Sequence, residues 1–234
     1  MAAPSGPREA LQTQICDWWS EAQRARPDWY GGHPCPQLSA NVGVVDAHSF
    51  LDGLRADPPI FSMERGYVLR TPLFPEGVRR RGGDTFHFFG RDGVTAPGFY
   101  DETIAHLGAI SELVLLHDWP RELVICEPEG RGAVTEGALD ALVMAPGGDS
   151  YFLGVEAKGD AKKLASLIKG INRCDGSGSH TRTDHKKCEA MLEFRPPYFW
   201  GVALGTRLLF RAEYRDGGVR LLPEPNRDIL DYPG

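Results

Sequence analysis

Apolar residues recur at spacings of three and four through residues 8–25, where Leu11, Ile15, Trp18, Trp19 and Ala22 form one stripe. That period predicts an amphipathic helix. Residues 27–43, with Pro27, Gly31, Gly32, Pro34 and Pro36, break the pattern and read as loop. A short helix is expected near Ala47–Leu54. Residues 57–99 read as turns and short strands, with Tyr67-Val68-Leu69 and Phe86-His87-Phe88-Phe89 as the strand candidates. The character changes near Phe99. Tyr100–Trp119 is helical in pattern, Leu123–Cys126 is a short apolar strand, and Ala138–Met144 is a second. The turn Ala145-Pro146-Gly147-Gly148 leads to a third strand beginning at Tyr151. Asp160–Ile171 is a helix with the stripe Leu164, Leu167, Ile168 and Ile171. A polar stretch broken at Gly176–Ser179 precedes a helix over Thr183–Phe194. Strands Tyr198–Leu204 and Arg207–Tyr214 follow, joined by a tight Gly-Thr turn. The order α-β-β-β-α-(α)-β-β predicts an α/β or α+β core around a central sheet.

Composition narrows the classes. The chain has 234 residues, room for one sizeable core or a core plus an appendage. Its 41% hydrophobic and 25% charged residues are globular values and exclude wholesale disorder. Apolar runs such as Leu113–Leu116 fall far short of the roughly 20 residues of a membrane span, so no membrane partner is expected. Met1–Pro7 lacks the basic-then-apolar order of a signal peptide. Five scattered cysteines read as reduced thiols, and the expected location is cytoplasmic. The net charge of −6 excludes a uniformly basic DNA-coating protein but leaves room for basic patches. No P-loop and no Gly-X-Ser-X-Gly elbow occurs, and Gly130-Arg131-Gly132 lacks the strand-turn-helix setting of a dinucleotide fingerprint.

The segment from Leu139 to Lys158 carries the chemistry. A hairpin turning at Gly147-Gly148 pairs residues whose numbers sum to about 295. Asp140 then lies opposite residue 155, give or take one, a window that includes Glu156. Glu156 and Lys158 share a strand face because side chains alternate. Two carboxylates and an ammonium are therefore predicted to converge at one end of the sheet. Paired carboxylates repel unless a divalent cation holds them, and Mg²⁺ takes such oxygens together with water. The metal can generate a hydroxide nucleophile and stabilise charge on a phosphate. A nearby lysine can orient or activate the water, and the carbonyl of Ala157 can add a ligand.

Asp140 followed by Glu156-Ala157-Lys158 resembles the Asp…(Asp/Glu)-X-Lys signature of the PD-(D/E)XK, or restriction-endonuclease-like, nucleases. The resemblance covers roughly residues 100–214, with Leu139 where the signature often has proline. It implies an α/β fold with a restriction-endonuclease-like core, a central mixed sheet flanked by helices, behind an N-terminal extension. It divides the chain into residues 1–98, a helical, loop-rich region with a possible specificity or regulatory role, and residues 99–234, the nuclease core with its C-terminal strands. It implies Mg²⁺-dependent hydrolysis of phosphodiester bonds, with Mn²⁺ able to substitute. The expected substrate is DNA, cut as an endonuclease in defence, restriction or repair, and a homodimer is the expected assembly. Asp140 and Glu156 would bind metal with the Ala157 carbonyl, and Lys158 would position or activate water. Glu112, an acid on the preceding helix among Leu113–Leu116, would add a ligand or hold a second metal. The alternative is an inactive adaptor of the same fold that binds nucleic acid or a protein partner.

Charge distribution fits this expectation. Asp101–Glu156 holds eleven acids against Arg121 and Arg131, whereas Lys158–Arg195 holds nine Lys or Arg against five acids. An acidic pocket beside a basic arm suits phosphodiester chemistry. Lys162, Lys169 and Arg173 lie with Ser166 on one helix face, opposite the apolar stripe, either as phosphate contacts or as an ordinary solvated face. The loop Arg79-Arg80-Arg81 offers the same two readings. Cys174, His180, His185 and Cys188 make a structural zinc conceivable, although their spacing matches no finger. Trp18, Trp19, Trp29 and Tyr30 read as core or interface rather than a base-stacking platform.

Overall fold

A computed structural model describes residues 6–73, 85–89, 100–126, 139–174, 182–215 and 217–234. Arg79, Arg80 and Arg81, His180 and the Gly176–Ser179 breaker lie outside the described residues.

The first helix, α1 (Pro7–Ala25), buries Leu11, Ile15, Trp18, Trp19 and Ala22, the stripe its periodicity announces. A four-residue turn of helix, α2 (Pro27–Tyr30), and α3 (Val44–Arg55) follow. A small antiparallel sheet is built from β1 (Ser62–Glu64), β2 (Val68–Arg70) and β3 (Thr85–His87). The β1–β2 turn needs Gly66: at φ +76°, any Cβ there would lie 2.7 Å from Ala22 N on α1. Trp18, Trp19, Tyr30, Phe50, Phe88 and Phe89 stack edge-on or tilted between these elements, so the N-terminal aromatics are core.

Helix α4 (Asp101–Leu115) buries every residue from Ile104 to Leu113. A helix buried on all sides is wrapped on all sides, and here α3 covers one flank and the main sheet the other. That sheet comprises β4 (Val124–Cys126), β5 (Ala141–Met144), β6 (Tyr151–Lys158), β7 (Tyr198–Ala203), β8 (Thr206–Arg215) and β9 (Gly218–Pro223), hydrogen-bonded in sequence order. All neighbours are antiparallel except β6 and β7, which run parallel. A parallel pair requires a crossover, supplied by α5 (Ala161–Ile171) and α6 (Arg182–Phe194). One face of the sheet joins the N-terminal helices and α4 in a continuous core from Leu11 to Leu230. The other packs Leu142, Phe199 and Leu221 under Leu167, Ile171 and Met191. The result is an α/β fold with a six-stranded mixed sheet between helical layers.

Two sequence expectations change here. Cys16 bonds to Cys35 and Cys174 to Cys188, and Cys126 is in neither disulfide. The reading of five reduced thiols is thereby corrected: each pair is brought together by tertiary packing that spacing does not reveal. Disulfides persist in oxidising compartments, so the cytoplasmic expectation loses its supporting argument. The zinc reading is corrected as well, because Cys174 and Cys188 are consumed by each other. Among the described residues, no helix is long and apolar enough to cross a membrane.

Candidate active site

The hairpin places the signature. Ala141 pairs with Val155, Leu142 with Gly154 and Val143 with Leu153, and a register shift next to Met144 absorbs the turn. Continuing this register one step sets Asp140 opposite Glu156, within the window read from the sequence. Asp140 N donates to Val155 O at 3.1 Å, and its carboxylate Oδ2 accepts from Ala157 N at 2.6 Å. Glu156-Ala157-Lys158 ends β6, beside β7, its parallel neighbour. Open α/β sheets bind ligands beyond the carboxyl ends of such strands.

Lys158 Nζ gathers three oxygens: Glu156 Oε1 at 2.7 Å, Ala157 O at 2.7 Å and Glu102 Oε1 at 2.9 Å. Burial lowers the ammonium's affinity for its proton, but Glu156, Asp140 and Glu102 outweigh it and hold Lys158 protonated. Glu156 is fully buried. Burial first, and then the Asp140 charge, push its carboxyl up from 4.5 to about 7, against the pull of Lys187 and Lys158. Burial also raises Asp140, but Lys187, His106, Lys158 and the Ala157 N–H more than reverse this and leave it below its ordinary value. His106 on α4 donates from Nε2 to Asp140 O at 2.9 Å. Burial lowers its imidazole below the usual range and favours the neutral ring, with the proton on Nε2.

Three residues here are not expected at this site from the sequence. Glu102, His106 and Lys187 converge on the signature from α4 and α6. Glu102 opens α4, one turn before His106; that spacing places both on the same side of the helix.

Glu112 is not part of this site, which corrects its expected role. Arg207 Nη2 donates to its Oε1 at 2.6 Å, and Nε donates to Oε2 at 3.0 Å. The same guanidinium reaches Asp46 Oδ1 at 2.9 Å, and Asp46 Oδ2 accepts from Gly43 N and Gly205 N, both at 2.8 Å. A carboxylate set among leucines needs a partner, and it finds one at the β7–β8 turn. Glu112 also lines an open cavity of about 170 Å³ with His48, Asp52 and Leu116. Lys162 and Lys169 are exposed on the outer face of α5, and Arg173 is exposed in the turn after it, opposite Leu164, Leu167 and Ile171. Asp160 caps that helix by accepting from Lys163 N at 2.8 Å.

Does the site suit Mg²⁺? Among the described residues, no group of three or more His, Cys, Asp or Glu side chains is arranged to hold a metal ion. The available donors are two carboxylates, Asp140 and Glu156, and the Ala157 carbonyl. This all-oxygen set suits a hard cation that keeps several waters. The Lys158 ammonium already acts as a stand-in cation, coordinated by Glu156 Oε1 and Ala157 O. The donors fit the group chemically. Comparison with known proteins found no match, whether to a family model, a curated protein or a solved structure.

Proposed function

We propose that the chain is a metal-dependent nuclease with a restriction-endonuclease-like core, hydrolysing phosphodiester bonds in DNA. One observation carries this reading. Asp140 and Glu156-Ala157-Lys158, sixteen residues apart at their first members, meet at the carboxyl end of β6 with a lysine ammonium among carboxylate and carbonyl oxygens. The strand order β4-β5-β6-β7, with one parallel step after a helical crossover, supports the same reading.

Asp140, Glu156 and the Ala157 carbonyl would hold Mg²⁺, or Mn²⁺ in its place. When bound, the metal supplies a lowered water pKa and charge stabilisation at the phosphate. Lys158, kept as an ammonium, positions water and offsets negative charge rather than removing a proton. His106 fixes the backbone of Asp140, and the Ala157 N–H fixes its carboxylate. The exposed Lys162 opens α5 just after β6, where a phosphate backbone can run past the site, whereas Lys169 and Arg173 lie farther along α5 and the turn after it, where Asn172 bonds to Leu221 of β9. Two strands call for two sites, so a homodimer is the matching assembly.

The adaptor reading has an observation of its own: both Glu156 oxygens lie against ammonium groups, Lys158 and Lys187, which is a neutralised rather than a metal-ready carboxylate. Circular double-stranded and single-stranded DNA incubated with wild type and Lys158→Ala in Mg²⁺, Mn²⁺ or EDTA separates the two. Cutting by the wild type alone, lost in EDTA, is expected. DNA binding without cutting in any metal would establish the adaptor instead.

A further inference from the structure

Lys187 is the least expected member of the site. Its side chain is nearly buried, and its Nζ lies 2.8 Å from Glu156 Oε2. Ordering and burying a lysine costs side-chain entropy and hydration, so an opposing charge must compensate. Among the described residues Oε2 has this ion pair and no hydrogen bond, whereas Oε1 is hydrogen-bonded to Lys158. Oε2 is therefore the more readily yielded oxygen. Around it stand the carboxylates of Asp140 and Glu102 and the ammonium of Lys158, with His106 kept neutral by burial.

The backbone holds Lys187 in place. Cys188, the next residue, bonds to Cys174 just after α5. Asn172, two residues earlier, is clamped to β9: it accepts from Leu221 N at 2.6 Å and donates to Leu221 O at 3.3 Å. The disulfide thus ties α6 to an anchored point and sets where Lys187 reaches the sheet.

We propose that Lys187 is a positioning residue, the resident counter-ion that orients the Glu156 carboxylate in the metal-free site and cedes Oε2 to a divalent cation. This rests on the metal-dependent reading above. A cation of charge +2 beside Glu156 makes the Lys187 charge redundant and repels it.

Mn²⁺ alone is the probe, titrated at pH 8.5 into the full chain by calorimetry, with melting temperatures taken with and without Mn²⁺. Lys187→Met keeps the length of the side chain and removes its charge. It is expected to bind Mn²⁺ about tenfold tighter than wild type, because a positive charge a few ångströms from the ion is gone. Its metal-free melting temperature is expected to fall and its Mn²⁺-induced rise to grow. Lys187→Arg is expected to retain wild-type affinity. The double variant Cys174→Ser, Cys188→Ser is expected to shift toward Lys187→Met, and wild-type affinity there would overturn the role of the disulfide as a pin. Binding by Lys187→Met equal to or weaker than wild type would overturn the counter-ion role while leaving the metal reading intact. Cooperative melting of all proteins with no Mn²⁺ binding by any would overturn both.

Discussion

Glu156 should make the folded protein less stable as the pH rises, despite its two lysine neighbours. Its carboxyl ionises at 4.5 in a solvated chain and at about 7 in the folded site. Below about 4.5 it is protonated in both states and contributes nothing. Between 4.5 and 7 the folded state holds a proton that the unfolded state has lost, so the slope of unfolding free energy against pH is negative. Above 7 both states are ionised and the full penalty applies. At about 1.4 kcal/mol per pH unit, this amounts to roughly 3 kcal/mol. The perturbation is Glu156→Gln, an isostere of the neutral form. Urea unfolding of both proteins at intervals from pH 4.5 to 8.5 measures the gap between them. Asp140 is present in both, so most of its own opposite pH dependence cancels. The wild type should lose about 3 kcal/mol relative to Glu156→Gln across the window. A gap independent of pH, or a wild type gaining on the variant as pH rises, would refute the reasoning: it would mean that Lys158 and Lys187 fully compensate burial.

Three further outcomes follow from the same geometry. Arg207→Met strands the buried Asp46 and Glu112 carboxylates and should cost about 3–5 kcal/mol in urea unfolding, the range for breaking a buried ion pair. Glu102→Gln should weaken Mg²⁺-dependent cutting of circular DNA several-fold, whereas Glu112→Gln should leave the rate per folded molecule unchanged, because Glu102 alone of the two touches Lys158. Gly53→Ala gains helix propensity but sets a methyl 2.8 Å from Phe61 Cε1 and 2.9 Å from Ser111 Cβ at the α3–α4 crossing, so a net loss of about 2 kcal/mol is expected in thermal or urea unfolding.

Much of the architecture is legible because it rests on local periodicity. The stripe Leu11, Ile15, Trp18, Trp19 and Ala22 can be buried only as a helix, and the stripe of α5 behaves in the same way. The 140–158 hairpin is legible to within one register step, because a Gly-Gly turn flanked by apolar strands leaves few pairings. The elements without a clear reading lack a local signal. β1 has three residues, none of them buried, and so shows no alternation; β9 owes its place to pairing with β8, a non-local event. Cysteine pairing fails for the same reason: 19 and 14 residues separate the partners, and nothing in that separation says that packing brings them together.

The site divides along the same line. Asp140, Glu156 and Lys158 lie on one hairpin, so their convergence follows from register alone. Glu102, His106 and Lys187 reach it from helices, and their neighbours in sequence resemble any amphipathic segment. Glu112 shows how this misleads. Its setting among leucines correctly demands a partner, but a sequence supplies the demand without the address. The obvious candidate was the acidic cluster 28 residues downstream, starting at Asp140, whereas the partner is Arg207, 95 residues away. A buried carboxylate is satisfied by charge of opposite sign, not by proximity to other acids, and the chain has 26 lysines and arginines to choose from. The more discriminating sequence question is therefore which basic residue lies on an element that can cover the acid's helix. For Glu112 this points past the hairpin to the β7–β8 turn, where Arg207 follows Gly205, a left-handed residue at φ +68° whose N–H bonds Asp46 Oδ2.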